Sequence, residues 1–203
     1  ISGKTGAEML LPFYLNLAPN YDATVTTRFM ATRGPQFLNE FRYLQPRITG
    51  IFNYEYMPHD RPTGLSRSAF NWTQVIQPTT SSPWSSLINI NRVSDDNYFR
   101  DLSGRLSVAT QVYLPREGSV SYPVADGVAA ILRVQRFQTL QDPLAPVLAP
   151  YARVPQVFVN ALRPNVLGLP GADFNLASEY VDFEHPTLPL GRRASAYPSL
   201  AYP

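Results

Sequence analysis

The chain has 203 residues, charged residues make up 16% of it, and its formal net charge is +2. That length permits one sizeable core. So small a positive excess, with no basic run longer than Arg192-Arg193, excludes a surface for tracking nucleic acid; that pair reads as a solvated turn. The absence of cysteine excludes disulfides, thiolate chemistry and Cys-based metal sites within these residues.

No apolar run approaches the roughly 20 residues of a transmembrane helix, and 20 dispersed prolines exclude long helices over most of the chain. What remains is a series of segments about ten residues long, separated by polar or Pro/Gly-rich breaks. Glu8–Leu17 alternates most cleanly. Met9, Leu11, Phe13, Leu15 and Leu17 share one face, and Glu8, Leu10, Pro12, Tyr14 and Asn16 the other, as a strand requires.

Ala18-Pro19-Asn20 reads as a turn, and the next strand is predicted over Tyr21–Arg33. There Tyr21, Ala23, Val25, Phe29 and Ala31 oppose Asp22, Thr24, Thr26, Arg28 and Thr32. A tight turn at Gly34-Pro35 leads into Gln36–Leu44, with Phe37, Phe41 and Tyr43 opposite Glu40 and Arg42. After Gln45-Pro46-Arg47, Ile48–Met57 sets Ile48, Phe52, Tyr54 and Tyr56 against Thr49, Asn53 and Glu55. These four segments read as successive antiparallel strands. Further strands are expected at Arg67–Ile76, Trp84–Val93, Tyr113–Tyr122, Val128–Thr139, Pro155–Arg163, Phe174–Phe183 and Arg193–Leu200. Longer connections fall at His59–Ser66, Ser94–Thr110 and Gln141–Val154, the middle one with room for a short helical turn over Asp95–Leu102. No composition break marks a second domain, so residues 1–203 are expected to form one section of a single domain. The opening Ile1-Ser2-Gly3-Lys4 has no signal pattern, and the strand-like ending has no closing element, so a piece of a longer chain is expected.

A soluble β-sandwich and a membrane β-barrel both alternate apolar and polar faces. Three features favour the barrel. The segments have the length of a tilted membrane-crossing strand rather than the five to six residues typical of soluble ones. Ionisable groups Arg28, Glu40, Arg42, Glu55 and Arg133 sit in mid-strand on the polar face. Aromatics such as Phe13, Tyr14, Tyr54, Tyr56, Phe70 and Trp72 gather toward strand ends, where membrane barrels place girdles. The expected class is all-β, an antiparallel transmembrane β-barrel of which about eleven strands are present. Leu11, Phe13, Leu15, Val25 and Phe29 are then expected to face lipid, and Arg28, Glu40, Arg42 and Glu55 a wet lumen.

No catalytic pattern stands out. His59 and His185 lie far apart, each beside a proline, and read as solvated loop histidines rather than ligands or bases. Asp95, Asp96 and Asp101 lack the spacing and closing Glu of a calcium loop, so capping and solvation are expected of them. There is no Gly-x-Ser-x-Gly elbow, phosphate loop or dinucleotide fingerprint. Transport or assembly is expected rather than catalysis, without metal or cofactor. A passive outer-membrane channel and a soluble ligand-binding sandwich remain as alternatives.

One run, Leu11-Pro12-Phe13-Tyr14-Leu15-Asn16-Leu17-Ala18-Pro19-Asn20-Tyr21-Asp22-Ala23-Thr24, resembles the opening barrel strands of the LptD, or organic solvent tolerance protein, family. The likeness continues at Arg33-Gly34, Asn39–Leu44, Tyr56-Met57-Pro58 with Asp60, Val93–Phe99, Val134–Pro143 and Pro150–Gln156. The resemblance implies a large barrel in the bacterial outer membrane that assembles lipopolysaccharide into the outer leaflet. It implies as partners an LptE-type lipoprotein plug and periplasmic lipopolysaccharide-bridge proteins, which meet an N-terminal domain not in this chain. Release would be through a lateral gate between the first and last strands, of which this chain would hold the first-strand side. It further implies a gate role for Pro12, where the family places a proline. Many members carry a second proline in strand two, where this chain has Thr27.

Overall fold

The computed structural model describes residues 3–103 and 111–202; Ile1, Ser2, Pro203 and the 104–110 part of the expected Ser94–Thr110 connection lie outside the described residues. The described chain is all-β apart from short helical turns. Its strands are β1 (Glu8–Ala18), β2 (Tyr21–Met30), β3 (Gly34–Leu44), β4 (Ile48–Met57), β5 (Arg67–Ile76), β6 (Ser85–Val93), β7 (Tyr113–Ala125), β8 (Val128–Thr139), β9 (Ala152–Arg163), β10 (Asp173–Glu184) and β11 (Gly191–Ala201). They form an 11-stranded antiparallel sheet in chain order, so β1 and β11 each have one neighbour in it. Helix α1 (Tyr98–Leu102) occupies the expected position after β6, and a 3-10 turn spans Val166–Gly168.

Strand limits differ from expectation at a few places. β2 stops at Met30 rather than Arg33, because Arg33 N–H turns back to the Met30 carbonyl at 3.3 Å. Gly34-Pro35 opens β3 instead of making a turn; Gly34 has φ +109°, and a Cβ there would lie 3.3 Å from the His59 carbonyl oxygen. β9 begins at Ala152 and β6 at Ser85. Arg192 and Arg193 lie in β11, not in a turn, held by Asp182 and Glu179 of the neighbouring strand.

Contacts group the chain into two compact units: Ile1–Val75, Ile88–Arg116 and Phe137–Ala149 form one, and Ile76–Leu87, Glu117–Arg136 and Pro150–Pro203 the other. The first unit has the larger apolar core: Met30, Met57, Ala69, Val93, Leu114 and Leu140 close around Tyr98 and Leu102 of α1. In the second unit, Asp126-Gly127 makes a two-residue hairpin between β7 and β8, with Gly127 at φ +62°. Gly127 also accepts a hydrogen bond from Leu162 N–H at 2.7 Å, and any Cβ would strike the Leu162 carbonyl.

Candidate functional site: two faces and a free edge

Register decides which side chains share a face. Across β1–β4 the opposed sets Leu11–Thr27–Phe37–Tyr56, Phe13–Val25–Asn39–Tyr54 and Leu15–Ala23–Phe41–Phe52 all lie on one side. Met9 and Phe29 extend it, and Phe70 joins from β5 through an edge-on contact with Phe52, ring centroids 5.2 Å apart. This is an aromatic face. The five residues expected to face lipid are all on it: Leu11, Phe13 and Phe29 are exposed, Phe13 to 65%, while Leu15 and Val25 are half-buried. So much exposed apolar surface on adjacent strands is unusual for a wall that faces water. At Gly50 the missing Cβ leaves room for the Tyr43 ring to cross onto β4. From there Tyr43 donates to Gln74 Oε1 at 2.6 Å and accepts from Trp72 Nε1 at 3.0 Å.

The other face is polar and charged. Arg28, Glu40, Arg42 and Glu55 all lie on it, but they divide into two groups. Arg42 grips both oxygens of Asp22, at 2.9 and 2.8 Å, and lies 3.6 Å from Glu40; Tyr14 donates to Asp22 at 3.2 Å. Arg28 donates to Glu8 at 2.9 Å, Gln36 at 3.1 Å and the Leu102 carbonyl at 2.9 Å. Glu55 accepts from Gln36 at 3.0 Å and Tyr98 at 2.7 Å. Asn53, Asn71 and Asn91 form a side-chain ladder between these groups and β6, at 3.1 and 2.7 Å.

Helix α1 explains the division, because it lies over the second group. Tyr98 is 1% exposed and Leu102 3%. Burial, and then the Glu55 carboxylate, push the Tyr98 phenol far up, so it stays a hydrogen-bond donor. Beside it lies an ionic cluster with no spacing signal in the sequence. Asp60, fully buried, accepts from Arg33 at 2.8 Å and Arg67 at 2.9 Å, and Arg67 reaches Asp95 at 2.7 Å and Asp101 at 3.0 Å. Asp95 caps the turn by accepting from Asn97 N–H at 3.1 Å, yet it and Asp101 are ion-paired rather than merely solvated, contrary to expectation. Burial works against the ionised Asp95, but Arg67 and the Ser94 and Asn97 hydrogen bonds outweigh it and hold its carboxyl below the usual range. Asp96 is exposed.

The same cluster holds the chain leading into β1. Arg33 and Thr32 both donate to the Lys4 carbonyl at 3.1 Å, and Lys4 Nζ donates to the Arg100 carbonyl at 2.7 Å. Of the histidines, His59 is exposed as expected, but His185 is 8% exposed. Its Nδ1 accepts from Leu188 N–H at 2.8 Å and its ring packs on Tyr151 at 4.9 Å, so it is a structural residue of its loop.

The edge position of β1 gives Pro12 a direction. Ala31 N–H donates to the Ala7 carbonyl at 2.9 Å, and Leu44 N–H to the Asn20 carbonyl at 2.7 Å. Carried along the regular registers, these bonds turn the odd-numbered backbone groups of β1 toward β2 and the even-numbered ones of β2 toward β3. Pro12 is even, so its nitrogen points away from β2, to the side where β1 has no neighbour in the sheet. Thr27 opposes Leu11, and its N–H points inward to β1. The backbone nitrogens of Pro12 and Thr27 therefore lie on opposite sides of β1.

Comparison with known proteins gives a consistent family. The chain matches the family model for LptD, described as LPS transport system D, over residues 66–203. All of it aligns with LPS-assembly protein LptD of Nitrosomonas eutropha at 42% identity, covering 28% of that protein, and of Azoarcus sp. at 47% identity, covering 25%. The same-named protein of Bordetella avium is 37% identical over the whole chain and 26% of its own length. The chain thus spans about a quarter of the curated relatives it matches.

Proposed function

The chain belongs to the LptD family, and from that premise we propose that residues 1–203 are the opening section of an outer-membrane β-barrel that assembles lipopolysaccharide into the outer leaflet. The aromatic face of β1–β5 meets membrane lipid. The charged face lines the lumen, where an LptE-type lipoprotein is the plug. Glu40 and Arg42, with side chains 43% and 50% exposed, are open to that partner, whereas α1 already covers Arg28 and Glu55. The periplasmic bridge proteins that supply lipopolysaccharide act through a domain outside this chain.

Lipid leaves sideways between β1 and a closing strand. The observation that carries this reading is the direction of Pro12: its missing donor lies on the outer side of β1, where a closing strand pairs. Each backbone hydrogen bond contributes about 0.5–1.5 kcal/mol net, and more where no water replaces it. A proline at that point removes one bond from the seam at no cost to the β1–β2 ladder. In the full-length protein, Pro12→Ala restores the donor, and lipopolysaccharide should reach the cell surface more slowly while barrel abundance is unchanged. Normal delivery by a well-folded variant sinks the reading.

A further inference from the structure

On the aromatic face, where β4 to β7 meet their connections, a cleft of about 720 Å³ is lined by Tyr54, Ser68, Phe70, Ile90, Arg92 and Arg116. Most arginines on the described strands face a carboxylate: Arg28 has Glu8, Arg42 has Asp22, Arg67 has Asp60, Arg133 has Glu117 and Arg193 has Glu179. The two in this cleft do not. Arg116 donates to the Asn91 carbonyl at 3.3 Å and Gln138 Oε1 at 2.9 Å, both neutral acceptors. Arg92 is exposed and makes no hydrogen bond or ion pair among the described residues, and no carboxylate lines the cleft. Two like charges thus share a partly apolar hollow, an arrangement that disfavours itself unless an anion joins it.

We propose that this cleft binds the headgroup of an anionic glycerophospholipid, its phosphodiester between Arg92 and Arg116 and its acyl chains along Phe70 and Ile90. Guanidinium is weakly hydrated and matches phosphate with paired donors, which suits it to the edge of a bilayer. Basic pockets beside apolar walls recognise lipid headgroups on the same grounds. The two cations suit one phosphodiester, whereas a lipid with two separated phosphates would leave one without a partner here. An ethanolamine ammonium would be repelled by the positive cleft, so a glycerol-type headgroup is the better fit.

The inference rests on the reading that the aromatic face meets lipid, and the test separates the two. The full-length protein carries a photocrosslinking benzoylphenylalanine at Phe70, inside the cleft, or at Phe37, on the same face outside it. Each is placed in nanodiscs of equal phosphatidylglycerol and phosphatidylethanolamine, and the adducts are resolved by mass spectrometry. Both positions should capture lipid. At Phe70 phosphatidylglycerol should be enriched several-fold over its share at Phe37; Arg92→Gln should remove the enrichment and Arg92→Lys retain part of it. No lipid at either position defeats the membrane-face reading. Lipid at both without selectivity at Phe70, or selectivity that Arg92→Gln leaves intact, overturns the headgroup site alone. In discs where lipopolysaccharide replaces phosphatidylglycerol, an equal Arg92-dependent enrichment overturns the assignment to a single-phosphate lipid.

Discussion

The covered end of the charged face and the free edge of β1 are built on opposite terms. Under α1, Arg33, Asp60 and Arg67 are almost wholly withdrawn from solvent, and each charge meets an opposite one within 3 Å. Along β1, by contrast, nearly every side chain is exposed, one backbone edge has no neighbour in the sheet, and Pro12 removes a donor from that edge. Yet the two regions touch. Glu8 of β1 pairs with Arg28, and Arg28 holds the last turn of α1 through the Leu102 carbonyl. The ionic cluster clamps the chain at Lys4, just before β1 begins, and so gives a strand that we propose opens along one side a fixed base.

The largest expected loss is at Asp60. Asp60→Ala removes the fully buried counter-ion that Arg33 and Arg67 share and leaves them only the partly exposed Asp101 and, for Arg67, Asp95, a change that costs up to about 3–5 kcal/mol. The folded yield of the full-length protein, read from heat-modifiable mobility on a denaturing gel, should fall steeply. An unchanged yield would mean that the cluster does not hold this end together.

Next in size is a charge on the aromatic face. Leu11→Arg places a guanidinium where lipid is proposed and should cost about 2–4 kcal/mol near mid-membrane. Thr26→Arg, on the charged face opposite Pro12, has a hollow of about 260 Å³ beside Leu38, Asn53 and Glu55 and should be tolerated. Equal folded yields for the two variants in detergent would count against the assigned faces.

Much of this is legible in the sequence alone. Period-two alternation, clearest over Glu8–Leu17 and looser over Ile48–Met57, sets strand limits and faces to within a few residues, because side-chain parity is a local property. The ionic cluster was not legible. Arg33, Asp60, Arg67, Asp95 and Asp101 come from three connections and one strand start, and only the sheet order brings them together. The direction of the Pro12 nitrogen was hidden for a related reason. Alternation says which face a side chain takes, but which neighbour a backbone group addresses depends on the β2–β3 register as well.

A smaller loss is expected of Tyr98→Phe. The ring still fills the core under α1, but Gln36 loses an acceptor and the half-buried Glu55 a donor, at 3.0 and 2.7 Å. The expected loss is about 1–3 kcal/mol, the cost of unsatisfied buried partners. Thermal unfolding in detergent measures it, and a variant as stable as the parent would show that the Tyr98 hydroxyl does not help to hold α1.

The smallest expected effect is on acidification. The folded protein holds the Asp95 carboxyl below its ordinary value, chiefly through Arg67, so ionised Asp95 binds more tightly in the folded state than in the unfolded one. Its contribution is therefore complete above the unfolded carboxylate range, near about pH 4, and is lost as pH falls through the lower folded value. The Asp95 side chain is 36% exposed, so solvent screening keeps the effect small. Other carboxylates titrate over the same range, and a single melting curve against pH would mix them. The informative quantity is the gap between the parent and Asp95→Asn. That gap should be widest near about pH 7 and should narrow as the pH falls below the ordinary carboxylate range, near about pH 4. A gap that stays constant across that range would mean that Asp95 acts through its hydrogen bonds to Ser94 and Asn97 rather than through its charge on Arg67.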